Sequence, residues 1–198
     1  LMGLRVLDVG TTRTPLLGQP SASGQYAEST SQVHHPGAIH FYLMALPVRL
    51  LGGAAGMLLT SVAITGTSLV VSAWATFRQL GRRAGLVAAL VLALIAFTTG
   101  FGPLVNPVSS NIAGYPLLVS AVLLWCVACG DTRLLPAATA AVSFTALQPL
   151  SVVPATLVIT TGALVLAALT WRRDGSGRDP AARRDLRWGV TWSAVVAL

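Results

Sequence analysis

All three histidines of the chain, His34, His35 and His40, fall within the stretch HHPGAIH. Imidazoles this close invite a metal reading. Helical zinc-binding pairs stand three or four residues apart, so that both rings reach one ion. Here the separations are one, five and six, with no carboxylate between. That spacing points instead to polar residues at the start of a helix. Six residues are acidic. Asp131, Asp174, Asp179 and Asp185 stand beside arginines and read as their solvated partners. Asp8 and Glu28 lie apart from those clusters and are the two candidates for a general base. Arg13 and Arg49 carry the forked donors that grip phosphate, although an arginine at the end of a surface helix also snorkels. Cys126 and Cys129 form C-V-A-C inside an apolar run. Both face one side of a predicted helix and read as inert buried thiols.

The elements that must position these groups follow from composition. Hydrophobic residues make up 54% of the chain and charged residues 10%, where a soluble domain carries about a quarter charged. The sequence therefore predicts an integral membrane protein. Its net charge of +7 comes from arginine, with no lysine. That usage, with abundant Ala, Val and Leu, fits a G+C-rich bacterial genome and a multi-pass protein of the plasma membrane. In a soluble protein this charge would point to nucleic acid. Here the arginines cluster between apolar runs, so they read as membrane loops and no nucleic acid is expected.

The predicted architecture is all-α and polytopic, with about five full spans and a truncated sixth. Residues 1–35 are rich in turn formers and form a loop. Pro36 suits a first helical position. From it an amphipathic helix over 36–52 is expected to lie at the membrane surface, with Ile39, Tyr42, Leu43 and Leu46 on its apolar face and Pro47 kinking or ending it. Uncharged runs of 28, 47 and 38 residues follow, at 50–77, 84–130 and 134–171. Turn residues in GPLVNPVSSN and QPLSVVP divide the two longer runs. The spans are placed at about 54–77, 84–101, 112–130, 134–148, 153–171 and 188–198. With that count Arg78, Arg82 and Arg83, then Arg133, then the arginines of 172–187 all fall on one side, which the positive-inside rule makes cytoplasmic. The N-terminal loop is then extracytoplasmic. The chain opens on Leu1 with neither signal peptide nor span and stops inside an apolar run, so it reads as a piece of a longer protein.

In order, LDVGTTRTPLLGQPS, HHPGAIHFYLMALPVRLLGG and SFTALQPLSVVP resemble bacterial polytopic glycosyltransferases of the GT-C superfamily, in their actinobacterial form. These are relatives of protein mannosyltransferases and of the aminoarabinose transferases acting on lipid A. The loop match is Asp8, Val9, Gly10, Thr14, Pro15, Leu16 and Gly18. The helix match is His35, Pro36, Gly37, Phe41, Tyr42, Leu43, Ala45, Pro47, Arg49, Leu50 and Gly52, against a pattern HPGP-x-x-FYLLA-P-x-RL-G. The resemblance implies hexosyl or pentosyl transfer from a polyprenyl-phosphate donor to an acceptor on the extracytoplasmic face. It implies an acid of the first loop, Asp8 or less strongly Glu28, acting as base or organising a divalent cation; no metal ligands are assigned. It makes Arg13, His35, Tyr42 and Arg49 candidates for substrate binding. Similar members carry a further Asp earlier in this loop.

Two rival readings are a transporter and a non-catalytic membrane protein. Transporters place ionisable residues inside their spans. The spans predicted here hold only Ser and Thr as their main polar groups, which favours an enzyme working from its outer loops.

Overall fold

The computed structural model describes residues 2–21, 34–108, 112–173 and 180–197. Among them the structure is helical, with one isolated β-bridge between Pro20 and His34. A short helix α1 (Met2–Leu7) leads into the loop that carries Asp8. Then come α2 (Ile39–Leu51), α3 (Gly53–Leu80), α4 (Arg82–Thr99) and a short α5 (Phe101–Val105). The second half comprises α6 (Gly114–Ala128), α7 (Leu135–Ala146), α8 (Val153–Arg173) and α9 (Pro180–Ala197).

The polarity of the helices is inverted relative to a soluble protein. The buried face of α3 is Gly56, Thr60, Ser61, Thr65, Ser68, Ser72 and Ala75, while Leu58, Leu59, Val62, Val70, Trp74 and Phe77 are exposed. On α4 only Gly85 and Leu92 are buried. Twenty large apolar side chains of α3, α4 and α8 stand outside the bundle. In water such side chains would gain none of the stabilisation that burial gives, whereas an apolar surrounding suits them. Three segments, Gly53–Leu80, Arg82–Thr99 and Leu150–Thr170, are long and apolar enough to cross a membrane. They measure about 42, 27 and 32 Å at 1.5 Å per residue, against a hydrocarbon core of about 30 Å.

At the centre lies α6, which packs against α3, α7 and α8. Leu123, Leu124 and Val127 fill the core there with Ala75 and Ala138. Most hydroxyls of α3 bond their own helix: Ser61 Oγ donates to the Met57 carbonyl at 2.9 Å and Ser72 Oγ to the Ser68 carbonyl at 2.8 Å. Small residues so satisfied let helices approach closely.

Single glycines join α2 to α3 and α3 to α4. Gly52 (φ 86°, ψ 163°) and Gly81 (φ 85°, ψ −179°) occupy backbone space that is essentially closed to other residues. In each elbow the glycine N–H donates four residues back, to Val48 and Phe77, and its carbonyl accepts from four residues ahead, Gly56 and Gly85. A Cβ on Gly56 would stand 2.4 Å from the Val48 backbone, and one on Gly85 2.5 Å from Phe77 Cβ. Both elbows therefore fold the chain back into a tight hairpin.

The arginine-bearing segments meet at one end of the bundle. Arg78 Nε of α3 donates to Asp131 Oδ2 at 2.5 Å, and Arg133 pairs with Asp185 of α9 at 3.0 Å. Thr170 of α8 reaches the Ala128 carbonyl at 3.1 Å. The GDTR turn thus ties α3 and α9 together; Asp131 and Asp185 do pair with arginines, but with Arg78 and Arg133, 53 and 52 residues away, where the sequence pointed to the arginines beside them.

Several predicted boundaries change. The second helix starts at Ile39, with Pro36 in the bend before it. Pro47 lies within that helix and does not end it. Its buried face is His40, Phe41, Met44, Ala45 and Val48, while Tyr42, Leu43 and Leu46, expected on the apolar face of a helix at the membrane surface, stand outside the bundle. The RQLGRR loop contracts to the Gly81 elbow. The basic loop at 172–187 is helical from Pro180 onward. The spans expected at 112–130 and 134–148 are realised as helices of 15 and 12 residues. Cys126 is buried, but Cys129, at the end of α6, is exposed.

Candidate functional site

The loop over residues 8–19 is stitched to α2 and its approach at three points. The first is Arg49, whose Nη2 donates to the carbonyls of Leu7 (3.4 Å) and Val9, the residues on either side of Asp8. The guanidinium so serves the carbonyls left open at the end of α1. The second is Tyr42, whose hydroxyl donates to the Pro15 carbonyl at 2.7 Å. At the third, Gly18 N–H donates to the His35 carbonyl (3.0 Å) and His35 N–H to the Gln19 carbonyl (2.9 Å). A Cβ at Gly18 would meet the Gly37 carbonyl at 2.6 Å, and one at Gly37 would meet Leu147 Cβ at 2.6 Å. Only glycine permits either approach, so the loop, the start of α2 and the end of α7 interlock.

This assembly fixes Asp8 at the end of α1. Its backbone carbonyl accepts from Thr11 Oγ1 (2.6 Å) and Thr14 Oγ1 (3.3 Å), which curls the loop beneath it. The side chain is half-buried, and among the described residues nothing donates to its carboxylate. A carboxylate held by its backbone and free at its oxygens is suited to take a proton. Arg13 is exposed on the same loop. Glu28 lies outside the described residues. Four of the six sequence candidates, Asp8, His35, Tyr42 and Arg49, therefore belong to one built unit, in which Arg49 commits its Nη2 and Tyr42 its hydroxyl to holding it together. Among the described residues no three His, Cys, Asp or Glu side chains group to hold a metal ion.

Two cavities flank the unit. An open cleft of about 570 Å³ runs between α2 and α3, walled by Leu43 and Pro47, by Leu59 to Ser68, and by Pro116, Val119, Ala141 and Phe144. Its lining is apolar save for three hydroxyls. A smaller cavity of about 250 Å³ lies under α1, bordered by Met2, Arg5, Gln19, Pro20, Phe41 and Val108.

Sequence spacing alone overlooked a set of buried polar groups at this end. His40 is fully buried against Phe41, ring centroids 4.1 Å apart, and among the described residues neither ring nitrogen has a hydrogen-bond partner. Gln148 is fully buried, and among the described residues both its amide atoms, the Tyr115 hydroxyl and His35 Nδ1 likewise have none. Burial, then the charge of His35, pushes His40 down to about 4. Burial and then His34 lower His35 below its usual value. The available signal for Gln148 was its isolation, as the one amide in the uncharged run 134–171.

No protein-family model matches this chain, and no curated protein or solved structure does either.

Proposed function

We propose that this chain is part of a membrane glycosyltransferase that moves a sugar from a polyprenyl-phosphate donor to an acceptor hydroxyl on the extracytoplasmic face. The observation that carries the reading is the Arg49 contact: the two segments with the GT-C resemblance, the Asp8 loop and the helix after HHPG, are bound directly to one another around a free carboxylate. Asp8 removes the proton of the acceptor hydroxyl. That oxygen bonds the anomeric carbon as the bond to the phosphate oxygen breaks, and polyprenyl phosphate leaves with the electron pair. The apolar cleft beside α2 suits an isoprenoid chain entering from the bilayer. Arg13, exposed and without a described partner, is the loop cation for the donor phosphate. The described donor set does not assemble a cation site, so no step passes through a metal. In this reading the arginine-rich end is cytoplasmic, the Asp8 end is extracytoplasmic, and α6 and α7 complete the bundle as short crossings shielded by their neighbours. A transporter is less well supported, because the Ser and Thr hydroxyls of α3 are largely committed to their own helix.

The test is transfer from a polyprenyl-phosphate sugar by the full-length protein. Asp8→Asn is expected to lower turnover by about 100-fold or more, the scale of a general base, while Glu28→Ala stays within a few-fold. Intact turnover in both variants sinks the carboxylate mechanism.

A further inference from the structure

Six of the thirteen arginines lie in residues 172–187, against three aspartates. This segment runs into α9, where Asp185 pairs with Arg133 of the GDTR turn at 3.0 Å. The contact commits the one carboxylate between Arg184 and Arg187 to a partner on another element. Both of those arginines are exposed, and among the described residues no carboxylate pairs with either. The first half of α9 therefore carries uncompensated positive charge.

The two sides of this helix differ. One is fixed to the bundle. Gly189 is buried, and a Cβ there would stand 2.7 Å from the Thr132 carbonyl oxygen and 3.4 Å from Leu135 Cβ, so α9 lies tight against α7 and the turn before it. The other side faces outward. Arg184, Trp188 and Trp192 recur at every fourth position, which sets them one above another along the helix, and all three are exposed. The two indole rings lie 6.2 Å apart. Arg187 stands beside this stripe, one residue before Trp188.

An indole joins an apolar ring to a single N–H donor and settles where hydrocarbon meets the polar layer of a bilayer. Arg184 precedes Trp188 by about 6 Å along the helix axis, close to the depth of one polar layer, about 5–8 Å. With the indoles at that boundary, the two guanidiniums reach the level of the lipid phosphates, whose oxygens they grip with paired donors. A soluble phosphate would meet only the arginines, whereas a phospholipid engages the whole stripe. We propose that Arg184, Arg187, Trp188 and Trp192 form a binding site for an anionic phospholipid headgroup. Uncompensated arginines select an anionic lipid over a zwitterionic one, whose own cation cancels its phosphate. The proposal is independent of the glycosyltransferase reading and rests on the three helices long and apolar enough to cross a bilayer. The Asp185–Arg133 pair braces the helix, so that its arginines face lipid while its acid faces protein.

The experiment measures, by native mass spectrometry, the affinity of the purified full-length protein in mild detergent for its first bound lipid, with phosphatidylglycerol and phosphatidylcholine as probes. An arginine at a membrane surface favours an anionic lipid about fivefold, so two give the native protein a preference for phosphatidylglycerol of about 25-fold. Arg184→Gln with Arg187→Gln is expected to bring phosphatidylglycerol down to the affinity of phosphatidylcholine, which itself stays within about twofold. Arg187→Gln alone is expected to leave a preference of about fivefold, and decides the matter if the double change fails to fold. Arg82→Gln with Arg83→Gln removes the same charge from exposed positions at the Gly81 elbow and is expected to keep the native preference. If that pair lowers the preference as far as the α9 pair does, the charge acts as a diffuse field and the site on α9 is overturned. The proposal is likewise overturned if the α9 variants keep the native preference, or if the native protein binds both lipids equally. Displacement of phosphatidylglycerol by millimolar inorganic phosphate would assign the arginines to a soluble anion and overturn the lipid site.

Discussion

Arg49 and Val9, 40 residues apart in sequence, are joined by a hydrogen bond from the arginine Nη2 to the valine carbonyl. The contact makes Arg49 a positioning residue for the Asp8 loop. Substrate binding at Arg49 and a structural role there predict different results. Arg49→Met keeps the length and stem packing but removes the donors. It is expected to expose residues 2–14 to limited proteolysis and raise their amide exchange, at a cost of about 1–3 kcal/mol to local stability. Were Arg49 instead a phosphate ligand, donor affinity would fall with loop protection unchanged.

The Gly81 elbow makes a second prediction. Its φ of 85° with ψ near 180° suits glycine alone. Gly81→Ala is expected to destabilise the α3–α4 hairpin by about 1–3 kcal/mol, read as a lower midpoint in detergent unfolding. Gly66→Ala serves as control: Gly66 lies inside α3 with open space where a Cβ would go, and alanine favours the helix by about 1 kcal/mol.

His40 gives a pH dependence. Its folded-state value is about 4, below the ordinary 6.5. The unfolded chain therefore binds the extra proton first, and stability falls as pH drops from about 6.5 to about 4. The full effect is about 3 kcal/mol at 1.36 kcal/mol per unit. His40→Phe should flatten this segment of the stability curve, measured by thermal unfolding across that window. An unchanged slope would show that His40 is not the group responsible.

Orientation is checked by thiol labelling in intact cells. Cys129 is exposed at the arginine-rich end and Cys126 is buried. A membrane-impermeant maleimide is expected to reach Cys129 only after permeabilisation. In a Cys129→Ser background, Leu17→Cys, on the exposed part of the Asp8 loop, is expected to label without it. The opposite pattern would invert the proposed topology.

The distribution of charge made much of this architecture legible in advance. The arginine clusters mark one end of the bundle, and the structure does bring Arg78, Arg133 and the 184–187 segment together. Tyr42, Leu43 and Leu46, read from periodicity as one apolar face of α2, lie together outside the bundle. The opposite face, with His40, Phe41, Met44, Ala45 and Val48, packs into protein, and that burial depends on elements far away in sequence. Boundaries at Ile39 and Pro180 were missed because Pro36 suits a first helical position and the charged segment 180–187 reads locally as a loop. As candidates, Asp8 and its loop were legible in the sequence. The unpaired His40, Gln148 and Tyr115 were not, since whether a polar group lacks a partner depends on elements far apart in sequence.

The paired elbows have a mechanical consequence. At Gly52 and Gly81 both the N–H and the carbonyl are committed to turns on either side, so α2, α3 and α4 form a folded strut with no slack at its corners. Two walls of the cleft, from α2 and α3, belong to that strut. The other two come from α6 and α7, with 3₁₀ turns at Thr132–Leu134 and Leu150–Val152 on either side of α7. A displacement of α7 away from the start of α2 would break the hydrogen bond from Gly37 N–H to the Leu147 carbonyl.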